Sequence, residues 1–130
     1  VVRAEDSVGP HIARRRATYD DLGRVLRKYF PDDTAAVPSY QENVYEPKAG
    51  QVRTISAQFG ATRTTVASFL NYLPTGHLTA RTSAGIRSTY SYDAFQRLER
   101  LTSASAAQPN LQAYKYTFDA LGNVTRLDDL

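Results

Sequence analysis

Aromatic residues in the C-terminal part of the chain alternate with polar ones: Tyr114, Tyr116 and Phe118 fall at period two, as do Tyr90 and Tyr92. Period two places each series on one face of an extended strand. Thr62 to Leu73 is rich in Thr, Val and aromatic residues, the types that suit a pleated surface. Helix propensity is weak throughout. The pattern predicts an all-β chain with strands at Ala13–Asp20, Arg24–Phe30, Gln51–Gln58, Thr62–Leu73, His77–Ser83, Ile86–Asp93, Arg97–Thr102, Leu111–Phe118 and Asn123–Asp128. Loops are expected over Pro31–Asn43, with its two prolines and Asp32-Asp33, and over Ser103–Asn110.

The strands are organised by a repeat. TYDDLGRVL (Thr18 to Leu26) recurs as SYDAFQRLE (Ser91 to Glu99) and as TFDALGNVT (Thr117 to Thr125). NYLPTGHLT (Asn71 to Thr79) keeps Tyr72, Gly76 and Leu78 but has Leu73 where the others have Asp; VYEPKAGQV (Val44 to Val52) has one extra residue. The aromatic anchors Tyr19, Tyr45, Tyr72, Tyr92 and Phe118 are therefore 45 − 19 = 26, 72 − 45 = 27, 92 − 72 = 20 and 118 − 92 = 26 residues apart. Such intervals fit a repeated supersecondary unit.

The shared core of each unit is a turn. Asp at its first position can accept backbone N–H groups, the middle residues can take right-handed helical geometry, and Gly at the fourth tolerates positive φ. A type I turn followed by a left-handed residue joins two antiparallel strands with the correct twist. Pro47 and Pro74 stand just after the Asp-equivalent position, where φ near −65° suits the first central residue. The chain is thus expected to be a series of antiparallel β-hairpins.

Composition narrows the chemistry. The 130 residues contain no Cys, Met or Trp and only two histidines, His11 and His77, with 16 Lys+Arg against 13 Asp+Glu. A disulfide framework and a thiolate metal site are excluded, and a zinc centre or a catalytic triad would have to be built almost entirely from carboxylates. A net charge of +3 is far from that of a dedicated nucleic-acid binder. In Arg14-Arg15-Arg16 strand alternation splits the run between two faces. No apolar stretch approaches the 18 or so residues of a spanning helix. Having no methionine, the chain reads as an excised or processed piece of a longer protein.

YDDLGRV, YSYDAFQRL and YKYTFDALGNV resemble the tyrosine–aspartate (YD) repeats of the Rhs superfamily, which includes the B and C components of bacterial Tc toxins, Rhs effectors and, more distantly, teneurins. The resemblance covers most of Arg16 to Leu127, and residues 1–130 are read as a single YD-repeat segment of about five units. It implies a strip of antiparallel hairpin repeats in a spiralling β-shell that, in the toxins, encloses a C-terminal toxic domain. Tyr19, Asp20, Gly23, Arg24, Tyr72, Gly76, Tyr92, Asp93, Arg97, Phe118, Asp119 and Gly122 would then be structural motif residues rather than catalytic ones. Implied partners are the remaining repeats of the same shell or neighbouring chains, and the enclosed toxin or effector polypeptide; the implied location is secreted or extracellular. Asp32-Asp33 and Asp128-Asp129 do not match the self-cleaving pattern of the family, so no autoproteolysis is expected. Gln96 for Gly, Leu73 for Asp and Phe118 for Tyr depart from the motif and imply altered turns.

Other functions have less support in the residues. An enzyme would have to use His77, the arginines and scattered carboxylates, yet His77 stands at the post-turn position that is Arg24, Arg97 or Asn123 elsewhere, where a strand-face polar role is simplest. No P-loop or GxSxG motif is present. No catalytic residue, cofactor, metal or nucleic-acid partner is therefore expected. An extracellular adhesion or carbohydrate-binding module is the alternative, since tyrosine-rich sheets can stack on sugars or peptides; against it, aromatics in register with the repeat are what packing between units demands. Unpaired sheet edges and an uncovered apolar face further imply association with neighbouring chains.

Overall fold

The computed structural model describes the backbone of residues 2–8 and 11–15, and backbone with side chains for residues 16–30, 36–47 and 50–130. Strands β1 (Val2–Val8), β2 (His11–Tyr19), β3 (Val25–Tyr29), β4 (Tyr40–Tyr45), β5 (Val52–Phe59), β6 (Thr62–Tyr72), β7 (Leu78–Ser83), β8 (Ile86–Tyr92), β9 (Leu98–Ala104), β10 (Gln112–Phe118) and β11 (Val124–Asp129) are joined without helices among the described residues. The strands follow chain order through an 11-stranded sheet, and each resolved pairing is antiparallel. The fold is all-β, a succession of hairpins. The chain divides into two compact units, Val1–Ala67 and Ser68–Leu130.

Two differences from the expected strands have physical causes. Tyr40–Asn43, placed in the expected loop, belongs to β4, which pairs with β3 through Arg27↔Glu42 and with β5 through Glu42↔Ser56. Its sequence YQENVY lacks alternation because its polar side chains are held by ion pairs and hydrogen bonds instead of water. Strand β1 was not expected either: VRAEDSV is charged, but its backbone pairs with β2 from Val2↔Ala17 to Val8↔His11. Asp32 and Asp33 and the side chains of His11, Arg14 and Arg15 lie outside the described residues.

At the Asp20, Glu46, Asp93 and Asp119 turns a bulge lies opposite the aromatic that precedes the turn. Register shifts at Thr18/Tyr19, Val44/Tyr45, Ser91/Tyr92 and Thr117/Phe118, so that Tyr19 faces Val25, Tyr45 faces Val52, Tyr92 faces Leu98 and Phe118 faces Val124. One extra residue on the outgoing strand sharpens the local twist. The repeated aromatic is thereby set at the base of its own turn.

In the second unit the register sorts side chains cleanly by face. Tyr90, Leu101 and Tyr114 are cross-strand neighbours, as are Ser88, Ser103 and Gln112 beside them. On the opposite face Thr89, Thr102 and Ala113 form one row, and Ser91, Arg100, Lys115 and Asp128 another. Side chains that reach deep burial are small: Ser56, Ala57, Ala67, Ala80, Ser88, Ser103 and Ala113; no large side chain is fully buried among the described residues. The Ser88 and Ser103 hydroxyls hydrogen-bond each other at 2.9 Å, which removes the cost of burying them.

Positive φ is required at the fourth turn position, where Gly23 has φ 75° and Gly122 φ 89°, and Gln96 adopts it at φ 65°. A β-carbon at Gly122 would meet nothing within 4 Å, so only backbone strain opposes a side chain there. Left-handed geometry costs a non-glycine residue about 1 kcal/mol. Gly122→Ala should lower unfolding stability by about that amount, and Gln96→Gly should raise it by somewhat less because Gln96 also makes a side-chain hydrogen bond; urea titration measures both.

Candidate functional site

The recurrent feature of both units is a clasp at the hairpin base. In the first unit Asp20 Oδ1 accepts the backbone N–H groups of Leu22 (3.0 Å) and Arg24 (2.8 Å), and Oδ2 accepts Arg24 Nε at 2.6 Å. Asp20 N–H donates to the Arg24 carbonyl (2.9 Å) and Gly23 N–H to the Asp20 carbonyl (3.0 Å), closing the turn. Two carboxylate oxygens thus fix the turn and aim the guanidinium. It lies 4.3 Å from the centre of the Tyr45 ring in the following hairpin and donates to the Gly50 carbonyl at 3.4 Å. Tyr45 reaches back, its hydroxyl donating to the Val25 carbonyl at 2.8 Å.

The second unit repeats this arrangement. Asp93 Oδ1 accepts Phe95 N–H and Arg97 N–H, both at 2.9 Å, and Oδ2 accepts Arg97 Nε at 2.7 Å. Arg97 lies 4.4 Å from the Phe118 ring centre and donates to the Asp119 carbonyl at 3.1 Å. Between exposed groups such an ion pair is worth at most about 1 kcal/mol, and the cation on an aromatic face adds about 0.5–1. The clasp matters because it ties one hairpin to the next with side chains already held by the turn.

The hairpin that lacks the aspartate solves the problem differently. Leu73 N–H still donates to the His77 carbonyl, and Gly76 N–H to the Leu73 carbonyl, both at 2.8 Å. His77 replaces Arg and packs on Tyr92 with ring centres 4.9 Å apart, while Tyr92 donates to the Leu78 carbonyl at 2.7 Å. The Thr75 hydroxyl donates to Gln96 Oε1 (2.9 Å) and contacts His77 Nδ1 (2.9 Å). With its single proton used on Gln96, the Thr75 hydroxyl oxygen is left to accept at His77 Nδ1. In the last hairpin, Asn123 takes the Arg position: Asp119 Oδ2 accepts Asn123 Nδ2, and Oδ1 accepts Leu121 N–H and Asn123 N–H, all at 2.9 Å.

The expected motif residues are placed as follows. Asp20, Gly23, Arg24, Asp93 and Arg97 form the two arginine clasps, Gly76 and Tyr92 belong to the histidine variant, and Asp119 and Gly122 shape the last turn. Phe118 receives Arg97. Tyr19 is largely exposed and Tyr72 half-buried. The sequence gives Gln51 the post-turn place in the second hairpin; its buried Oε1 has no hydrogen-bond partner among the described residues.

A second network was not expected from the sequence. Glu42 binds Arg27 through paired 2.8 Å contacts and also pairs with Arg63; the hydrogen bond that Arg27 donates to Glu42 raises its already high pKa. Arg27 lies 4.6 Å from the Tyr40 ring centre, Tyr40 packs on Tyr29 at 5.5 Å, and Arg16 lies 3.7 Å from Tyr29. Placing Glu42 in a loop concealed this face. Among the described residues there is no cluster of three or more His, Cys, Asp or Glu that could hold a metal, and no helix long and apolar enough to cross a membrane.

Residues 72–108 match the family model described as RHS Repeat, so that stretch carries a YD/Rhs repeat. The structure is similar to the crystal structure of TcdB2-TccC3-Cdc42, with a TM-score of 0.80 at 22% identity over 93% of this chain and 6% of that one. TcdB2-TccC3 without its hypervariable C-terminal region gives the same values. The Tc holotoxin pore of Photorhabdus luminescens is similar with a TM-score of 0.78 at 23% identity, over 91% of this chain and 5% of that one. The chain therefore spans only about one-twentieth of the matched structures' chains. No curated protein matches it.

Titration of the clasps has a defined sign. Partial burial works to raise the Asp20 and Asp93 pKa values, but hydrogen bonds from Arg24 and Arg97 and from the turn N–H groups outweigh it and hold both low. Asp119 is lowered first by its hydrogen bond from Asn123. A carboxylate whose pKa is depressed in the fold contributes stability above its unfolded pKa and loses it as pH falls through the folded value. The thermal midpoint should therefore fall below about pH 4, and Asp20→Asn with Asp93→Asn should flatten that fall. A second variant tests the ring: Phe118 has no hydroxyl for the Leu98 carbonyl, the counterpart of Val25 and Leu78. Phe118→Tyr should add about 1 kcal/mol in denaturant titration, and Arg97→Ala should remove on the order of 1–2 kcal/mol.

Proposed function

We propose that this chain is a non-catalytic structural segment, five hairpin units anchored at Tyr19, Tyr45, Tyr72, Tyr92 and Phe118, of a YD/Rhs β-shell that encloses a toxin or effector polypeptide. The observation that carries this reading is that the motif side chains hold one another. Asp93 holds Arg97 and Arg97 caps Phe118 of the next hairpin, as Asp20, Arg24 and Tyr45 do in the first unit. Such a device lengthens a strip by nearest-neighbour contacts, and it commits Asp20, Arg24, Asp93 and Arg97 to one another and to the turns. The Rhs repeat match and the likeness to Tc toxin chains support the shell. Its partners are further repeats of the same wall and the enclosed polypeptide, and its location is extracellular.

Adhesion or carbohydrate binding would need the tyrosines presented outward. Tyr45 and Tyr92 instead spend their hydroxyls on carbonyls of the preceding hairpin. The test is limited proteolysis of the complete polypeptide that carries this stretch. A segment protected in the intact protein and cleaved once the repeats are unfolded supports enclosure. Cleavage at equal rates in both states, together with binding on a glycan array, would replace the shell reading with recognition.

A further inference from the structure

On the face of the second unit opposite Tyr90, Leu101 and Tyr114, the row Thr89, Thr102 and Ala113 makes a floor of small side chains. The Thr89 and Thr102 hydroxyls bond each other at 2.5 Å, so the floor spends its polar groups on itself. Cations stand on both sides of it. Arg87 is the next same-face residue before Thr89 in β8, Arg100 the one before Thr102 in β9, and Lys115 the one after Ala113 in β10. Because neighbouring strands are antiparallel, Arg87 lies on one side of the floor and Arg100 with Lys115 on the other. Two same-face steps of roughly 6.6 Å put the rims roughly 13 Å apart.

These cations are unbalanced. Arg87, Arg100 and Lys115 are exposed, and none has a carboxylate partner among the described residues. Arg100 and Lys115 are direct cross-strand partners, and like charges so placed cost stability. Asp128 stands opposite Lys115 in register, but its Oδ1 holds Arg126 Nε at 2.6 Å. An anion lying between Arg100 and Lys115 turns that repulsion into two attractions.

From this we infer that this face docks an extended, acidic polypeptide segment, which lies along the floor with its carboxylates between Arg100 and Lys115 and against Arg87. The small floor side chains let a backbone approach, and the rim spacing suits one extended chain whose side chains alternate to either side. Nucleic acid fits less well, because Tyr90 and Tyr114, whose rings would stack on bases, belong to the other face. Exposed ion pairs are individually weak, so the binding is weak and salt-sensitive. The surface needs the folded sheet alone, neither a shell nor an enclosed polypeptide, so its test is independent of the proteolysis above.

Fluorescence anisotropy of a labelled peptide of alternating glutamate and serine, titrated with the protein, should show binding that added salt weakens. Arg100→Ser combined with Lys115→Ser should weaken it at least about fivefold with an unchanged circular dichroism spectrum, and Arg87→Ser should weaken it less. Arg53→Ser, which removes an exposed cation from the first unit, should leave it unchanged. Arg100→Glu gives a second readout, since it makes the pair with Lys115 one of opposite charge: peptide binding should disappear while the thermal midpoint rises. No binding of the peptide overturns the inference. So does an equal loss from Arg53→Ser, which would make net charge the cause, or tighter binding of a single-stranded oligothymidylate than of the peptide, which would assign the face to nucleic acid.

Discussion

The constraint on which this structure depends is the absence of a deep core. The side chains that reach deep burial are alanines and serines, and no large one is fully buried among the described residues. Hydrophobic burial, the main driving force in a layered domain, is therefore rationed, and a two-stranded hairpin alone is marginal in water. Order has to be carried from hairpin to hairpin by local contacts that are already positioned before they meet. The aspartate of the turn does this. With one oxygen it holds two backbone N–H groups, with the other it holds an arginine, and the arginine is thereby aimed at the next aromatic ring.

Each part of that device has a separate physical reason. A bulge lies opposite the motif aromatic, whose hydroxyl at Tyr45 and Tyr92 reaches the preceding hairpin. Arginine serves where lysine would not, because its planar fork can meet a carboxylate, a carbonyl and a ring face together. Tyrosine adds a hydroxyl that caps a carbonyl one residue past the arginine or histidine, at Val25 and at Leu78. Strain is tolerated where contacts repay it: Gln96 keeps a positive φ but its amide oxygen receives the Thr75 hydroxyl from the neighbouring turn.

The hairpins were legible in the sequence because turn chemistry and strand alternation are local. YDDLGR and YDAFQR place Asp, the turn and Arg at fixed offsets, and the period-two tyrosines place their strands. Legibility ended where the decisive contact was long-range. Tyr40 to Val44 has no alternation because Glu42 is satisfied by Arg27 and by Arg63, a partner 21 residues further on (63 − 42 = 21), and no local pattern announces such a partner. His77 looked like a surface polar residue for the same reason: its ring contact, Tyr92, is 15 residues away (92 − 77 = 15) in the next hairpin. The signal that could have found it was positional, since His77 occupies the slot of Arg24 and Arg97.

The histidine hairpin also shows which parts of the device are separable. Without an aspartate, the Leu73 turn still closes through the same two backbone hydrogen bonds, so the carboxylate is not needed to form the turn. Orientation of the post-turn side chain is what it supplies. In its absence Thr75 takes over, holding His77 Nδ1 while anchored to Gln96, and the ring contact with the next hairpin survives with an imidazole in place of a guanidinium. Stacking on the following aromatic is thus the element common to the Arg24, His77 and Arg97 hairpins, with charge an addition to it. A repeat that keeps this contact can change its turn residues, which is how the Arg24, His77 and Arg97 hairpins differ in sequence and share one ring contact.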